Sequence, residues 1–359
     1  KPSSGYMQTK WDGAPSVVCG KHPITGRFFV GTKSVFNKEP KLCHFDDDVD
    51  VYYSGDLATK LKTALQYFKP LGITGVIQGD LLFTEKDKKT VTVNNENLIT
   101  FTPNTITYGV PVNSDMGKKI STAKIGVVFH THYNGDDLAS MTASAGAPTS
   151  EFSKTTDCVV IENDTPIADV AVPTNTLQLF ERNTNTIESM CKKSGKFLNT
   201  LVDNMGTSGD KKFHIASYLK QFFNNEIKEG RSISDSQKAI KSIGEFYRTK
   251  MNKEVEKMKS VQKQAERRKQ MYDGMAYLED NITEFDAMFT LYRKMQENKE
   301  IVIKALDNLE TFRTFVQTDK GYKVTGPEGY VLHHDGDMIK LVNRIEFSYN
   351  NFTLAKQWR

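Results

Sequence analysis

Up to about residue 175 the apolar positions come in short runs separated by turn formers: SVVCG, HPITG, RFFVGTKSVF, GVIQGDLLF and KIGVVFHTHY. Runs rich in Val, Ile, Phe and Tyr, bounded by Gly, Pro and Asn, predict the strands of a sheet. One stretch breaks this texture. In GDLATKLKTALQYFKPLG the residues Leu57, Leu61, Ala64, Leu65 and Phe68 recur at helical spacing, and Pro70 with Gly72 closes the run, so one helix is expected to pack on the sheet. DVYY and VTVNNENLITF read as strands or connectors, and SMTASAGAPTSEF as a small-residue surface loop.

From about residue 176 the period changes, and no proline interrupts the chain between Pro173 and Pro327. Between Ser234 and about Gln270 the residues Ile240, Ile243, Tyr247, Met251, Val255, Met258, Val261 and Ala265 stand three or four apart. That predicts a helical run too long for an ordinary core helix, suited to a coiled-coil-like hairpin or a small bundle. Two further amphipathic helices are predicted, one through Ile282, Phe285, Met288, Phe289 and Tyr292, the next through Ile301, Ile303, Leu306, Leu309 and Phe312. Strand texture resumes after Gly321 in GYVLHHDGDMIKLVNRIEFSYNNF. The pattern therefore predicts an α+β protein: a sheet domain over 1–175 and 321–359, interrupted by an all-helical insertion over 176–320.

Composition adds bounds. The 359 residues are 38% hydrophobic, enough for a substantial core, and Lys and Arg exceed Asp and Glu by 48 to 44, a mild basic bias that permits polyanionic partners. Four cysteines without CxxC spacing (Cys19, Cys43, Cys158 and Cys191) point to reduced thiols in a cytoplasm rather than a disulfide framework. No apolar run reaches membrane-spanning length, so no membrane partner is expected, and the opening KPSSGYMQTK suggests a native start further upstream.

The candidate chemistry centres on TKWDGAP, residues 9–15. A lysine becomes a nucleophile only where its surroundings favour the free amine. Here the Asp12-Gly13 pair is expected to form a tight turn after Lys10, while Trp11, on the opposite face of an extended chain, anchors the strand in the core.

KWDG also matches the K-x-D-G motif of the covalent nucleotidyltransferases, the superfamily of ATP-dependent DNA ligases, RNA ligases and mRNA capping enzymes. Further segments resemble that family's later motifs in the same order: GTKSVF with Lys33, GVIQGDLLF with Asp80, TITYGV with Tyr108, PEGYVLH with Glu328 and MIKLVNR with Lys340. The resemblance covers the first 133 residues and about the last 40, and leaves the helical block unmatched. It implies a ligase-type nucleotidyltransferase domain, ATP-grasp-like, of antiparallel sheets with flanking helices. It also implies ATP and Mg2+ as cofactors and a lysyl-AMP intermediate on Lys10. By the same resemblance Lys33 and Lys340 face phosphate, Asp80 and Glu328 hold magnesium, Asp12 and Gly13 complete the nucleotide site, and Tyr108 stacks on the base with Gln8 and Thr9 beside it.

Several departures narrow the class. Ala14-Pro15-Ser16 stands where many DNA ligases carry an arginine after the D-G, and Leu341-Val342 follows Lys340 where the closing motif often has a second lysine. Asp80 replaces the more usual glutamate. About nineteen residues follow Lys340, short of the barrel domain found in DNA ligases and capping enzymes. RNA ligases of the superfamily commonly use helical accessory domains instead, so RNA is the expected partner and DNA the rival. The whole pattern is similar to that of proteins of large tailed bacteriophages, which would place it in a host cytoplasm.

The helical run carries Lys238, Lys241, Arg248, Lys250, Lys253, Lys257, Lys259, Lys263, Arg267, Arg268 and Lys269 against fewer acids. Such a stripe suits a phosphate backbone, with Lys250, Lys257, Arg267 and Arg268 nominated, or else a solvated face or a self-associating coiled coil. Two other readings stand beside the ligase: a nucleotide-binding scaffold without catalysis, and a metal hydrolase using His130, His132, His333 and His334 with Asp335 and Asp337.

Overall fold

The computed structural model describes residues 6–165, 172–206, 208–307, 312–318, 321–334, 337–343 and 345. The chain divides into two compact units: residues 1–169 with 306–341 and 354–359, and residues 170–305 with 342–353. The helical unit is thus an insertion in sequence. Its return boundary falls about fifteen residues earlier than the Gly321 expected from strand texture.

The first unit holds strands β1 (Tyr6–Lys10), β2 (Ser16–Lys21), β3 (Phe28–Gly31), β4 (Val76–Thr84), β5 (Lys89–Val93), β6 (Glu96–Phe101), β7 (Ile106–Pro111), β8 (Ile125–Asn134), β9 (Thr142–Ala145), β10 (Cys158–Ile161), β11 (Asp164–Thr165), β12 (Arg313–Thr318), β13 (Gly321–Val324), β14 (Gly329–His334) and β15 (Asp337–Val342). Three helices accompany them: α1 (Asp46–Tyr52), α2 (Gly55–Phe68) and α3 (Asp115–Thr122). The strands form three sheets, ordered β11-β1-β14-β15, β10-β8-β4-β2-β3 with β9 on β8, and β13-β12-β7-β6-β5. Every pairing with a described register is antiparallel except β10 on β8.

The predicted helix is α2. Its Leu61, Ala64, Leu65 and Phe68 pack on Val17, Cys19, Ile77, Leu81, Val127 and Phe129 of the central sheet, and Gly72 ends it with φ +71°. Other local expectations change. HPITG is the turn between β2 and β3, closed by Gly26 N–H on the His22 carbonyl. GTKSVF is not a strand: after Gly31 the chain tightens into a 3-10 turn, Lys33–Phe36, capped by the Thr32 hydroxyl on Ser34 N–H. DVYY lies in helix α1, where Asp46, Asp47 and Asp48 fill the first turn and suit the positive end of the helix dipole. VTVNNENLITF is a hairpin, with Asn94 and Asn95 both at positive φ as its two-residue turn requires. Part of SMTASAGAPTSEF joins the sheet as β9. All four cysteines are free.

The second unit contains α4 (Thr174–Asn204), α5 (Leu219–Lys228), α6 (Ser236–Glu256), α7 (Val261–Asp280) and α8 (Ile282–Asp307). Its core gathers Phe222, Ile243, Tyr247, Met251, Met271, Leu278, Phe285 and Phe289. The long run from Ser234 is two helices, broken at Met258–Ser260, where Ser260 accepts Lys263 N–H and caps α7. The two helices predicted after Ile282 are one, α8, up to Asp307; Leu309 lies outside the described residues, and Phe312 belongs to the sheet unit.

Helices α6 and α7 run antiparallel and close. A Cβ on Gly244 would meet Leu278 Cδ2 at 3.2 Å and Met275 Cε at 3.3 Å, and one on Gly274 would meet Tyr247 Oη at 2.4 Å. That hydroxyl donates to the Phe213 and Gln270 carbonyls, at 2.6 and 3.0 Å, and its ring is fully buried. The ring has nowhere to yield. Gly274→Ala is therefore expected to destabilise the protein by about 1–3 kcal/mol, although alanine is the better helix former by about 1 kcal/mol. A rise in the thermal midpoint would show that propensity outweighs the clash.

Candidate functional site

The register of β1 on β14 builds the site. Gln8 faces Val331, Tyr6 faces His333 and Lys10 faces Gly329, so Glu328, one residue before Gly329, arrives beside the lysine. Residues two apart share a face of a strand. Gln8, Lys10, Val331 and His333 accordingly line one cavity, while Met7 and Tyr330 are buried. The Lys10 ammonium forms an ion pair and hydrogen bond with Glu328 Oε1, across 318 positions of sequence. His333 Nε2 lies 3.0 Å from Gln8 Oε1, and its ring is stacked on Tyr6 at 4.4 Å.

The central sheet supplies the other wall. Asp80 pairs with Ser16 of β2 and Val128 of β8, and its Oδ2 lies 3.5 Å from His130 Nε2. Gly13 lets the chain after Lys10 pass close to this wall: a Cβ there would meet Asp80 Cβ at 2.6 Å, and the next residue, Ala14, donates its N–H to the Leu81 carbonyl. The cavity measures about 410 Å³, within the roughly 300–1,000 Å³ of small-molecule sites. Lys10, Lys33 and Lys340 all line it, together with Asp80, Gln8 and Thr9. The 3-10 turn presents Lys33, and the Tyr53 hydroxyl fixes that turn through the Thr32 and Ser34 hydroxyls at 3.2 and 2.8 Å.

Glu328 is only 7% exposed. Burial pushes its carboxyl up from 4.5 to about 7 against the opposing pull of the Lys10 ammonium, and Asp12 and Asp80 add to the rise. A folded value above the unfolded one means that the native chain holds a proton between about pH 4.5 and 7 that the unfolded chain has released. Stability then falls as pH rises through that window. Wild type is expected to lose on the order of 2–3 kcal/mol relative to Glu328→Gln as pH is raised from about 4.5 to about 7.5. Urea midpoints of both proteins at the two ends measure this, and parallel pH curves would deny Glu328 the bound proton.

Two nominated residues have other positions than expected. Asp12 makes no tight turn with Gly13. Its buried carboxylate accepts from Asn104 Nδ2 at 2.7 Å, Thr105 N–H at 2.8 Å and Ile106 N–H at 2.9 Å, so it pins the loop that begins β7. Tyr108 is 2% exposed, its ring against Trp11 and Phe101, and its hydroxyl accepts the Asp12 N–H at 2.7 Å. A ring packed on both sides by the core is not available to a nucleobase, so Tyr108 does not have the stacking role that the resemblance implies.

Asn163, whose carbonyl receives the Thr9 N–H, and His130 also line the cavity, and no motif singles out Asn163. His130 was readable only as one of a histidine pair. The metal-hydrolase reading does not assemble: His132 Nδ1 contacts the Gly146 carbonyl, His333 contacts Gln8, and among the described residues no three His, Cys, Asp or Glu converge on a metal position. Asp335 lies outside the described residues.

The basic residues nominated in the helical block divide. Lys257 pairs with Glu254 at 3.4 Å, and the Arg267 guanidinium covers the Phe213 ring at 3.2 Å, half-buried. Lys250 and Arg268 are exposed. No helix among the described residues is long and apolar enough to cross a membrane.

Fold and site together define a mixed α+β protein with antiparallel sheets and a helical block, in which a lysine paired with a buried glutamate lines a cavity with two further lysines. The chain belongs to the family of unknown function DUF6267, whose model matches residues 1–356. No curated protein and no solved structure matches it.

Proposed function

We propose that this protein is an ATP-dependent nucleotidyltransferase that activates polynucleotide 5′-phosphates for ligation, with Lys10 as its nucleophile. One observation carries the reading: the Lys10 amine, paired with the buried Glu328, lines a cavity that Lys33 and Lys340, from opposite ends of the chain, also line. The donor set fits a nucleoside triphosphate. Three ammonium groups suit its phosphates, and the Asp80 carboxylate on the cavity wall offers an oxygen ligand of the kind magnesium prefers. Magnesium bound there would supply further neutralisation of phosphate charge.

In the proposed reaction the Lys10 ammonium first gives a proton to solvent, and the free amine attacks the α-phosphorus of ATP. The nitrogen–phosphorus bond forms, the bond to the pyrophosphate oxygen breaks, and the amine proton passes to the ionised Glu328 in contact with it. Charge gathering on phosphate oxygens is met by Lys33 and Lys340, already in place before the transfer. The adenylate then moves to a 5′-phosphate, and a 3′-hydroxyl displaces AMP to join the ends. RNA is the favoured substrate, because the resembled RNA ligases pair this kind of domain with helical modules, and this chain has a large one. Incubation with [α-32P]ATP and Mg2+, followed by a denaturing gel, tests the first step. Label that stays on the protein and is released by pyrophosphate is the expected result, and an unlabelled protein would argue for a nucleotide-binding or structural role instead.

A further inference from the structure

The net positive charge of the helical unit is concentrated at one place. Residues 248–269 contain nine Lys or Arg and three Glu, a net charge of +6, whereas the whole chain carries +4. Everything outside these 22 residues is therefore slightly acidic, at −2. The fold gathers the segment further. Because Gly244 abuts Leu278 and Tyr247 abuts Gly274, the last turns of α6 lie beside the first turns of α7, and residues 248–269 form one end of the hairpin.

Most of this charge has no internal use. Lys257 and Lys269 have acidic neighbours, Glu254 at 3.4 Å and Asp273 at 3.6 Å, and Arg267 is committed to Phe213. Arg248, Lys250, Lys253, Lys259, Lys263 and Arg268 are exposed and make no ion pair among the described residues, although the Lys250 ammonium lies over the Phe246 ring at 5.2 Å. Lys250 and Lys253, at i and i+3, share a face of α6, and Lys257 caps its C-terminus. Lys263 stands in the first turn of α7, which contains no acid, and there a cation opposes the helix dipole. Mutual repulsion and this unfavourable placement both work against folding, so the cluster is better explained by an external partner than by the unit's own stability.

We infer that the α6–α7 hairpin end is a docking surface for a polynucleotide phosphate backbone. A membrane surface fits less well. Such helices need an apolar face, whereas Val261 and Tyr272 are the exposed large hydrophobics of α7, eleven residues apart, and α6 shows none among its described residues. The inference is independent of Lys10, since binding is read without ATP.

The test is fluorescence anisotropy of a labelled single-stranded 20-mer RNA with the full chain over a series of salt concentrations. Lys250→Gln/Lys253→Gln/Lys259→Gln/Arg268→Gln is expected to weaken binding at least tenfold near 0.1 M salt. It should also flatten the dependence of log affinity on log salt by about 0.7 per neutralised contact that reaches phosphate. The control Lys192→Gln/Lys193→Gln/Lys196→Gln, on α4 of the same unit, should change neither. Equal loss in the control, no loss in the hairpin variant, or equally tight and hairpin-dependent binding of polyglutamate or of anionic lipid vesicles would overturn the assignment. Circular dichroism melts of both variants, expected to match wild type, establish that any loss is not unfolding.

Discussion

Replacing Lys10 with alanine is expected to abolish covalent labelling from [α-32P]ATP, a loss of at least ~10³-fold, because it removes the attacking amine. Lys10→Arg should be equally silent, since a guanidinium does not release its proton in a protein. Neither change should unfold the chain. The Lys10 side chain is 27% exposed, and Glu328, left alone, is already pushed to about 7 by burial, so below that pH it can stay protonated at little cost. Urea midpoints near pH 6 should therefore stay close to wild type while labelling disappears. Label persisting in Lys10→Ala would put the nucleophile elsewhere and remove the basis of the proposed activity.

The largest structural effect is expected at Asp12. Its carboxylate is 4% exposed and accepts three hydrogen bonds, two of them from the backbone N–H groups of Thr105 and Ile106. Hydrogen bonds to a charged acceptor contribute about 1.5–3 kcal/mol each, and a buried donor left without a partner loses its hydration without replacement. Asp12→Ala is expected to cost about 3–5 kcal/mol, a large part of a typical stability of roughly 5–15 kcal/mol. Asp12→Asn keeps the shape and one acceptor oxygen, so it should fall between alanine and wild type. Denaturant midpoints decide the order. If Asp12→Ala unfolds at the wild-type concentration, the loop from Asn104 is held by something other than this carboxylate.

Much of the local structure was legible in the sequence. The runs GVIQGDLLF and KIGVVFHTHY are β4 and β8, and the spacing from Leu57 to Phe68 is α2, because a strand or helix buried on a core must show its period in its apolar residues. The break at Met258–Ser260 was hidden for the complementary reason. Apolar positions continue at three- and four-residue spacing on both sides of it, and neither Gly nor Pro marks the reversal; a Ser260 cap suffices. The turn at Lys33 was missed because hydrogen bonds from Tyr53, twenty residues on, help to fix it.

By itself the sequence determined the longer strands and helices with a clear apolar period, the change of texture from sheet to helical block, and that Lys10 stands at the head of an ordered set of polar candidates. Period and order are local properties, and they survive in a string of letters. Only tertiary structure decided which candidates meet. The β1–β14 register brought Glu328 to Lys10 across 318 positions, whereas the packing of β7 turned Tyr108 into the core beside Trp11. A strand's alternation defines two faces. Which of them looks onto a cavity is settled by the layers packed on either side.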